Sequence, residues 1–487
     1  MNYRMIACVT SRILLAEAAL MSLSLMTAAV YGESLSPFLL TMLFLALFAL
    51  PFGLRVPKDT ALYARDGFAV VASAWILLSV FGALPFVLSG DIPDFVDAFF
   101  ETVSGFTTTG ASILPAVEPL HKGILFWRSF THWVGGMGVL VFVMAVLPMS
   151  DGHGMHLMRA EVPGPSVGKL VSRMSESAKI LYEIYTALTV LEIVILFAGG
   201  MPFFDSCVHA FGSAGTGGFS NRNASVGAYD NPFFDIVIGT FMLLFSVNFN
   251  LYYYLLMRRF AEVRRSETLW TFLGIVGLSV LAIAGNIAPM YGSFLTALRH
   301  SYFQVASIIS TSGFSTVDFN LWPSFSRAIL TVLMFVGACA GSTGGGIKVD
   351  RLIILVKASV RDMKKMLHPN AVASVRFEGK PLPERNIQGV HTYVAVYLGI
   401  FTASYLLLSL EGFDLVSTFT ALSACINNIG PGFEMVGPTG NFAAFSAASK
   451  LLLSFNMLVG RLEIFPMLLL FAPSMWRRRR LIRRRRF

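Results

Sequence analysis

The sequence predicts an all-α polytopic membrane protein: a two-helix preface, then four repeats of helix, half-helix, turn and helix around a pseudo-fourfold axis. Three observations predict it. Of the 487 residues, 55% are hydrophobic and only 13% charged, against about 25% charged in a soluble globular chain. A small, polar, Gly-centred stretch recurs four times in this apolar background, registered on Gly110, Gly218, Gly313 and Gly430. Its period of about 100 residues is too long for a solenoid, but it is the internal repeat that decides the fold. Most of the 37 Lys and Arg also fall in alternate loops, as the positive-inside rule requires.

The preface, residues 1–65, holds apolar segments at 12–31 and 36–54 joined by Tyr31-Gly32-Glu33-Ser34. Each is near the roughly 20 residues that cross a bilayer. Arg55, Lys58 and Arg65 then mark a cytoplasmic loop. Repeat one (66–150) reads as a helix at 67–90, a half-helix at 94–106, a turn at 107–112 and a helix at 124–148. Repeat two (151–265) has the same parts at 179–200, 204–215, 216–220 and 232–257. Repeat three (266–385) has them at 268–289, 295–311, 312–316 and 325–360. Repeat four (386–487) has them at 388–410, 414–427, 428–433 and 441–473, followed by an Arg-rich tail. Ten spans and two cytoplasmic termini result. Apolar segments recur to the end and the first lacks a clear cleavage site, so no cleavable signal peptide is expected.

The half-helices open with Asp94 and Asp97, with Asp205, and with Asp414, which suit helix N-termini. Ser293 is the nearest cap candidate in repeat three. The half-helix C-termini then aim partial negative charge at a common centre, which suits a cation.

The turns carry the chemistry. Bare backbone inside a bilayer survives only where it lines a cavity. Backbone carbonyls can replace a cation's hydration shell, and Gly turns the chain without filling the space. The candidate ion-binding residues are Thr108, Thr109 and Gly110; Thr216, Gly217 and Gly218; Thr311, Ser312 and Gly313; and Asn428, Ile429 and Gly430. Together they read as a selectivity filter, so each repeat is helix, pore helix, filter, helix. Asp91, Glu118, Asp230, Asp318 and Glu434 read as an acidic outer vestibule that concentrates cations.

Two anomalies stand out. Residues 337–346 (Gly-Ala-Cys-Ala-Gly-Ser-Thr-Gly-Gly-Gly) fall where repeat three should be helical. Each Gly costs about 1 kcal/mol relative to Ala in a helix. The stretch therefore reads as an intramembrane gating loop carried by Gly341, Ser342, Thr343, Gly344, Gly345, Gly346 and Lys348. It is not a phosphate loop, because it ends Gly-Ile-Lys rather than Gly-Lys-Ser/Thr. Arg461 lies inside the last span, where an ionisable residue is costly and faces the interior. It reads as a barrier in the pore below the filter, with a local pair to Glu463 as the bland alternative.

Cys8, Cys207, Cys339 and Cys425 are far apart and suggest neither disulfides nor a zinc site. No metal role is expected of His153 and His156. The net charge of +9 follows topology rather than nucleic acid. The Arg tail reads as an anchor to anionic lipid heads.

At this point the chain resembles a known family. Ser104-Gly105-Phe106-Thr107-Thr108-Thr109-Gly110, His132-Trp133-Val134-Gly135-Gly136-Met137-Gly138, Gly217-Gly218-Phe219-Ser220, Asn427-Asn428-Ile429-Gly430-Pro431-Gly432 and Val459-Gly460-Arg461 are similar to the Trk/Ktr/HKT superfamily of potassium transporters. The resemblance spans essentially the whole chain, and the preface is an extra relative to the Ktr membrane subunit. It implies potassium as substrate bound at the filter, no covalent cofactor, and a homodimer with one pore per subunit. It also implies a TrkA-type cytosolic ring that binds nucleotide and controls the gate, and a bacterial inner-membrane location. In the superfamily a Ser at the first filter Gly goes with sodium permeation; Gly110 therefore favours potassium. The extra glycines of turn two, Gly215 and Gly217, are expected to loosen that quarter.

Two other classes compete. A proton- or sodium-coupled secondary transporter binds its solute at broken helices near the midplane, but usually shows two related halves rather than four turns. An intramembrane enzyme needs paired titratable residues in the spans, and beyond Arg461 and Glu463 the sequence offers little. No Gly-x-Ser-x-Gly elbow is present either.

Overall fold

The computed structural model describes residues 1–55, 57–59, 63–138, 174–370 and 373–476. His153, His156, the end of the helix expected at 124–148 and the Arg tail lie outside the described residues. The preface forms two helices, Tyr3–Val30 and Ser36–Gly53. The Asn2 side chain caps the first by accepting from Met5 N at 3.1 Å. The connecting loop is tied to repeat one: the Glu33 carboxylate accepts from Lys122 N and Gly123 N at 2.6 and 2.8 Å. Those two amides open a helix and have no partner within it.

The repeats separate into parts that cross a membrane whole and parts that do not. Among the described residues six helices are long and apolar enough to span: the two of the preface, and the leading helix of each repeat at Arg65–Ser89, Glu176–Ala198, Glu267–Tyr291 and Glu384–Glu411. The trailing helices of repeats two, three and four are interrupted; the described residues hold six uninterrupted spans, or seven when one bent pair is counted, and the trailing span expected at 124–148 lies partly outside them. In repeat two the trailing helix turns by 93° between Pro232–Phe245 and Phe249–Leu256. In repeat three it stops at Val336 and resumes as Val349–Leu367. In repeat four it runs Ala447–Arg461 and restarts at Phe465–Phe471, with Glu463 and Ile464 both at positive φ. In repeat one it is described over Lys122–Gly136. The expected break was confined to repeat three; hydropathy averages over such breaks, because the residues on either side are equally apolar.

The half-helices are Phe95–Phe106, Phe203–Gly215, Phe294–Ile309 and Leu415–Ile426. Asp94 and Asp414 cap theirs, accepting from Asp97 N at 3.0 Å and Ser417 N at 2.8 Å. Asp205 does not cap its helix. Its carboxylate instead accepts from Asn221 at 2.7 Å, Arg222 at 3.2 Å and Tyr229 at 2.6 Å, folding the loop after turn two against the half-helix. The largest apolar core joins the preface to repeats one and four around Trp75, Phe106 and Trp127, and a second fills repeats two to four around Phe272 and Trp322. A two-stranded hairpin, Arg376–Phe377 with Lys380–Pro381, sits in the loop between repeats three and four.

Candidate functional site: a ring of four turns

Each half-helix ends in the same way. At Thr108, Thr216, Thr311 and Asn428 the backbone is left-handed, with φ of 56, 56, 63 and 56°. The next amide reaches back five residues: Thr109 N to Ser104 O, Gly217 N to Gly212 O, Ser312 N to Ser307 O and Ile429 N to Ala424 O, all at 2.8–2.9 Å. This is the Schellman ending of a helix, which normally places Gly or Asn at the left-handed position. Three of the four turns place Thr there instead. A β-branched residue in that region is strained by about 1–3 kcal/mol.

Two residues on, Gly110, Gly218, Gly313 and Gly430 are again at positive φ, 80, 75, 82 and 96°. These glycines close a ring. A Cβ on Gly110 would strike the Gly217 carbonyl oxygen; one on Gly218 would strike that of Ser312; one on Gly313 that of Ile429; and one on Gly430 would press on that of Thr109. Turn one meets two, two meets three, three meets four and four meets one. Among the described residues no hydrogen bond reaches the carbonyl oxygens of 108–110, 216–218, 311–313 or 428–430. Buried carbonyls seldom go without a partner. Here they are gathered by the neighbouring turns into one place, the arrangement that can take the place of a cation's water shell.

Side chains behind the ring hold it. Thr109 Oγ1 lies 2.8 Å from Thr107 Oγ1 and accepts from Asn428 Nδ2 at 2.9 Å, which binds turn four to turn one. Turn two is not loosened by its extra glycine, contrary to expectation. A Cβ on Gly217 would collide with the His132 imidazole. The ring of His132 takes the space that a side chain fills in the other turns and stacks on Phe219 at 4.2 Å. Its Nδ1–H donates to Gly105 O at 2.7 Å and its Nε2 accepts from Phe219 N at 3.3 Å, so it bonds the end of the first half-helix to turn two.

Two residues that the sequence reading passed over complete this side. Arg128 and Glu101 form a buried ion pair at 2.6 Å, 3% and 0% exposed. Glu101 accepts from Ser112 Oγ and Ile113 N at 2.9 Å, just after turn one. Arg128 donates to Ser220 O at 3.1 Å, just after turn two, with its guanidinium 3.5 Å from the centre of the Phe219 ring. Glu101 is detectable in the sequence as an acid in the apolar second half of its half-helix, away from the capping Asp94 and Asp97.

The Gly-rich segment lies against turns three and four. Gly345 N donates to Thr311 Oγ1 at 2.7 Å, and a Cβ on Gly345 would strike Asn427 O. The segment also satisfies the break in the trailing helix of repeat two: Cys339 N donates to Ser246 O at 3.1 Å, Thr343 N to Phe245 O at 3.3 Å, and Phe249 N to Gly341 O at 3.0 Å. Lys348 Nζ returns to Gly344 O. Asp350 accepts from Ala340 N at 2.6 Å and from Thr268 Oγ1 at 2.5 Å, fixing the start of the next helix to the leading helix of repeat three.

Arg461 joins three repeats here. It donates to Thr343 O at 2.7 Å and to Gly135 O and Gly136 O at 2.5 Å. The Glu463 carboxylate, its expected local alternative, pairs with Arg351 across to repeat three. The outer acids are largely spent on cations as well. Asp91 pairs with His121, Asp230 with Arg299, and Glu434 with Arg327.

Four turns of one chain that bring unbonded backbone carbonyls together inside a bundle of apolar, span-length helices define a polytopic membrane protein with a central carbonyl ring. The chain belongs to the TrkH family, described as cation transport protein, which matches residues 38–281 and 291–478. It is a family of transporters and not of enzymes. The Trk system potassium uptake protein TrkH of Salmonella typhimurium is 41% identical over 423 residues, 85% of this chain and 87% of that protein. The Trk system potassium uptake protein TrkG of Escherichia coli K12 is 34% identical over 425 residues, 85% and 86% of the two chains. The crystal structure of the potassium transporter TrkH from Vibrio parahaemolyticus superimposes with a TM-score of 0.86 at 33% identity, covering 98% of this chain and all of that one.

Proposed function

We propose that this chain takes potassium up across a bacterial inner membrane through the four-turn ring, with residues 108–110, 216–218, 311–313 and 428–430 as the selectivity filter. The observation that carries this is the closed ring of carbonyl oxygens without hydrogen-bond partners. Membership of the family and the names of the relatives support the choice of ion. In this reading the preface is 1–65, the repeats are 66–150, 151–265, 266–385 and 386–487, and both termini are cytoplasmic.

The segment 337–346 acts as the gate. It bonds to Thr311 on one side and to the broken helix of repeat two on the other, so moving it changes the support of the ring. Arg461 is the charged barrier beneath, and its three carbonyl partners couple it to the gate. A homodimer and a TrkA-type cytosolic ring carrying the nucleotide complete the system.

The test is rubidium uptake and potassium-limited growth in cells lacking their own potassium transporters, with the ring partner supplied. The wild type rescues growth. Gly110→Ser leaks sodium, Arg461→Ala alters flux, and deleting Gly344–Gly346 changes dependence on the partner. A properly inserted wild type that gives no rescue sinks the assignment and favours a different solute bound at the ring.

A further inference from the structure

Two buried carboxyl groups have neither oxygen hydrogen-bonded among the described residues, Glu17 and Glu192. Glu17 sits in the middle of the first preface helix and is 3% exposed. Beside it lies a small cavity, about 10 Å³, lined also by Leu20, Leu78, Phe106, Trp127 and Val134, whose walls are apolar; at that size it holds at most about one water molecule. Its Oε1 lies against Gly82: a Cβ there would be 3.0 Å from that oxygen and 2.9 Å from the rings and methyls of Phe106 and Thr102. Trp127 Nε1 donates to the Gly82 carbonyl at 3.0 Å. Phe106 is the last residue of the first half-helix, directly before Thr107 and the first turn.

The carboxyl is not isolated along its own helix. Thr10, Glu17 and Ser24 follow one another at intervals of two helical turns, so they share one face. All three are buried, and the side-chain oxygens of all three have no hydrogen-bond partner.

No cation answers Glu17 from the elements packed on it. The second preface helix, Ser36–Gly53, contains no titratable residue. The leading helix of repeat one carries Arg65 and Asp66 at its far end, where Asp66 accepts from Asn2 N at 3.3 Å and Tyr63 N at 3.1 Å. On the trailing helix of repeat one, Arg128 is paired with Glu101 and His132 is bonded to Gly105; Lys122 stands at its outer end, 5.1 Å from the Phe204 ring centre. On the half-helix, Asp97 is paired with Lys450. On its own helix, Arg12 donates to Gly53 O at 3.2 Å and Arg4 is exposed near the terminus.

We propose that Glu17 is a proton-binding site inside the membrane, reached along the Thr10–Glu17–Ser24 face and coupled to the first turn through Phe106. A carboxyl among apolar groups is favoured as the neutral acid, and ionisation there requires water. The proton passes to water as hydronium when the O–H bond breaks, and returns by the reverse step. The carboxylate left behind draws water to the cavity wall that Phe106 forms, and so loads the residue that leads into Thr107–Gly110. This goes beyond potassium uptake, and it assigns the preface a task of its own.

The test uses the full chain in proteoliposomes. Infrared difference spectra between neutral and alkaline pH, a range in which exposed carboxylates stay ionised, should show the carbonyl stretch of a protonated carboxylic acid, sensitive to deuterium. Glu17→Gln should remove that band, with Glu192→Gln as the control that assigns it. Rubidium flux should vary with pH in the wild type and lose that dependence in Glu17→Gln. A band that survives Glu17→Gln, or a pH profile that it leaves unchanged, overturns the proposal. Should Glu17→Gln fail to insert, Glu17→Asp must move the band; an unmoved band overturns the proposal equally. The infrared result stands whether or not rubidium is carried, so failure of the transport reading remains distinguishable.

Discussion

The ring has two unlike sides. Between turns one and two it is backed by side chains: the buried Arg128–Glu101 pair and the stacked His132. Against turns three and four the Gly-rich segment lies close, with one backbone amide donating to Thr311. The turns themselves share one backbone geometry all round. The difference teaches where such a ring can yield. A buried ion pair with satisfied hydrogen bonds fixes a single arrangement, whereas a run of small residues can shift once Arg461, Lys348 and Asp350 give up their bonds to its backbone.

The largest expected effect comes from breaking the firm side. Arg128→Ala leaves Glu101 buried without its cation, a loss of about 3–5 kcal/mol, read as a lower melting temperature in detergent. Replacing both as Arg128→Met with Glu101→Leu should recover part of that stability. An unchanged melting temperature in Arg128→Ala would show that the two sides do not differ.

Gly217→Ala sets a methyl against the His132 ring, and overpacking of this kind costs about 1–3 kcal/mol. Flux and stability should both fall, and His132→Ala in the same chain should relieve the collision. Failure of that rescue would separate Gly217 from His132. On the yielding side Gly345→Ala meets Asn427 O. It should change the dependence of flux on the cytosolic partner while moving the melting temperature less than Arg128→Ala does. Equal loss of stability from both would erase the contrast.

The smallest effect lies outside the ring. Its hydrogen bond to Asp91, helped by the charges of Asp91 and Glu33 and opposed by partial burial, holds the His121 imidazole above its ordinary pKa. A raised cation pKa adds stability fully present below the unfolded value, about 6.5, and lost as pH rises through the folded value. Melting temperature measured across that window should therefore slope downward with pH, slightly, and Asp91→Asn should flatten the slope. A steeper slope in Asp91→Asn would reverse the assignment.

Much of this was legible in the sequence because glycine placement is a backbone fact. Registering the chain on Gly110, Gly218, Gly313 and Gly430 places the four turns, and the half-helices fall within one or two residues of their expected ends. The broken trailing helices were less legible. Hydropathy averages Ser246–Asn248 and Leu462–Ile464 into their apolar flanks and misses the turns there. In the sequence His132 stands out only within its family-like motif, since its partner Gly217 lies far along the chain and only the fold brings them together. The outer acids were counted singly, although their field depends on the cations that face them.

One consequence follows from the turns being strung on a single polypeptide. In an assembly of four identical subunits any substitution is copied to every quadrant at once. Here Thr109, Gly217, Ser312 and Ile429 occupy corresponding places with different side chains, yet leave their carbonyls to the same ring. Each quadrant can be retuned while three stay constant, so under the proposed filter role ion preference is adjustable in quarter steps.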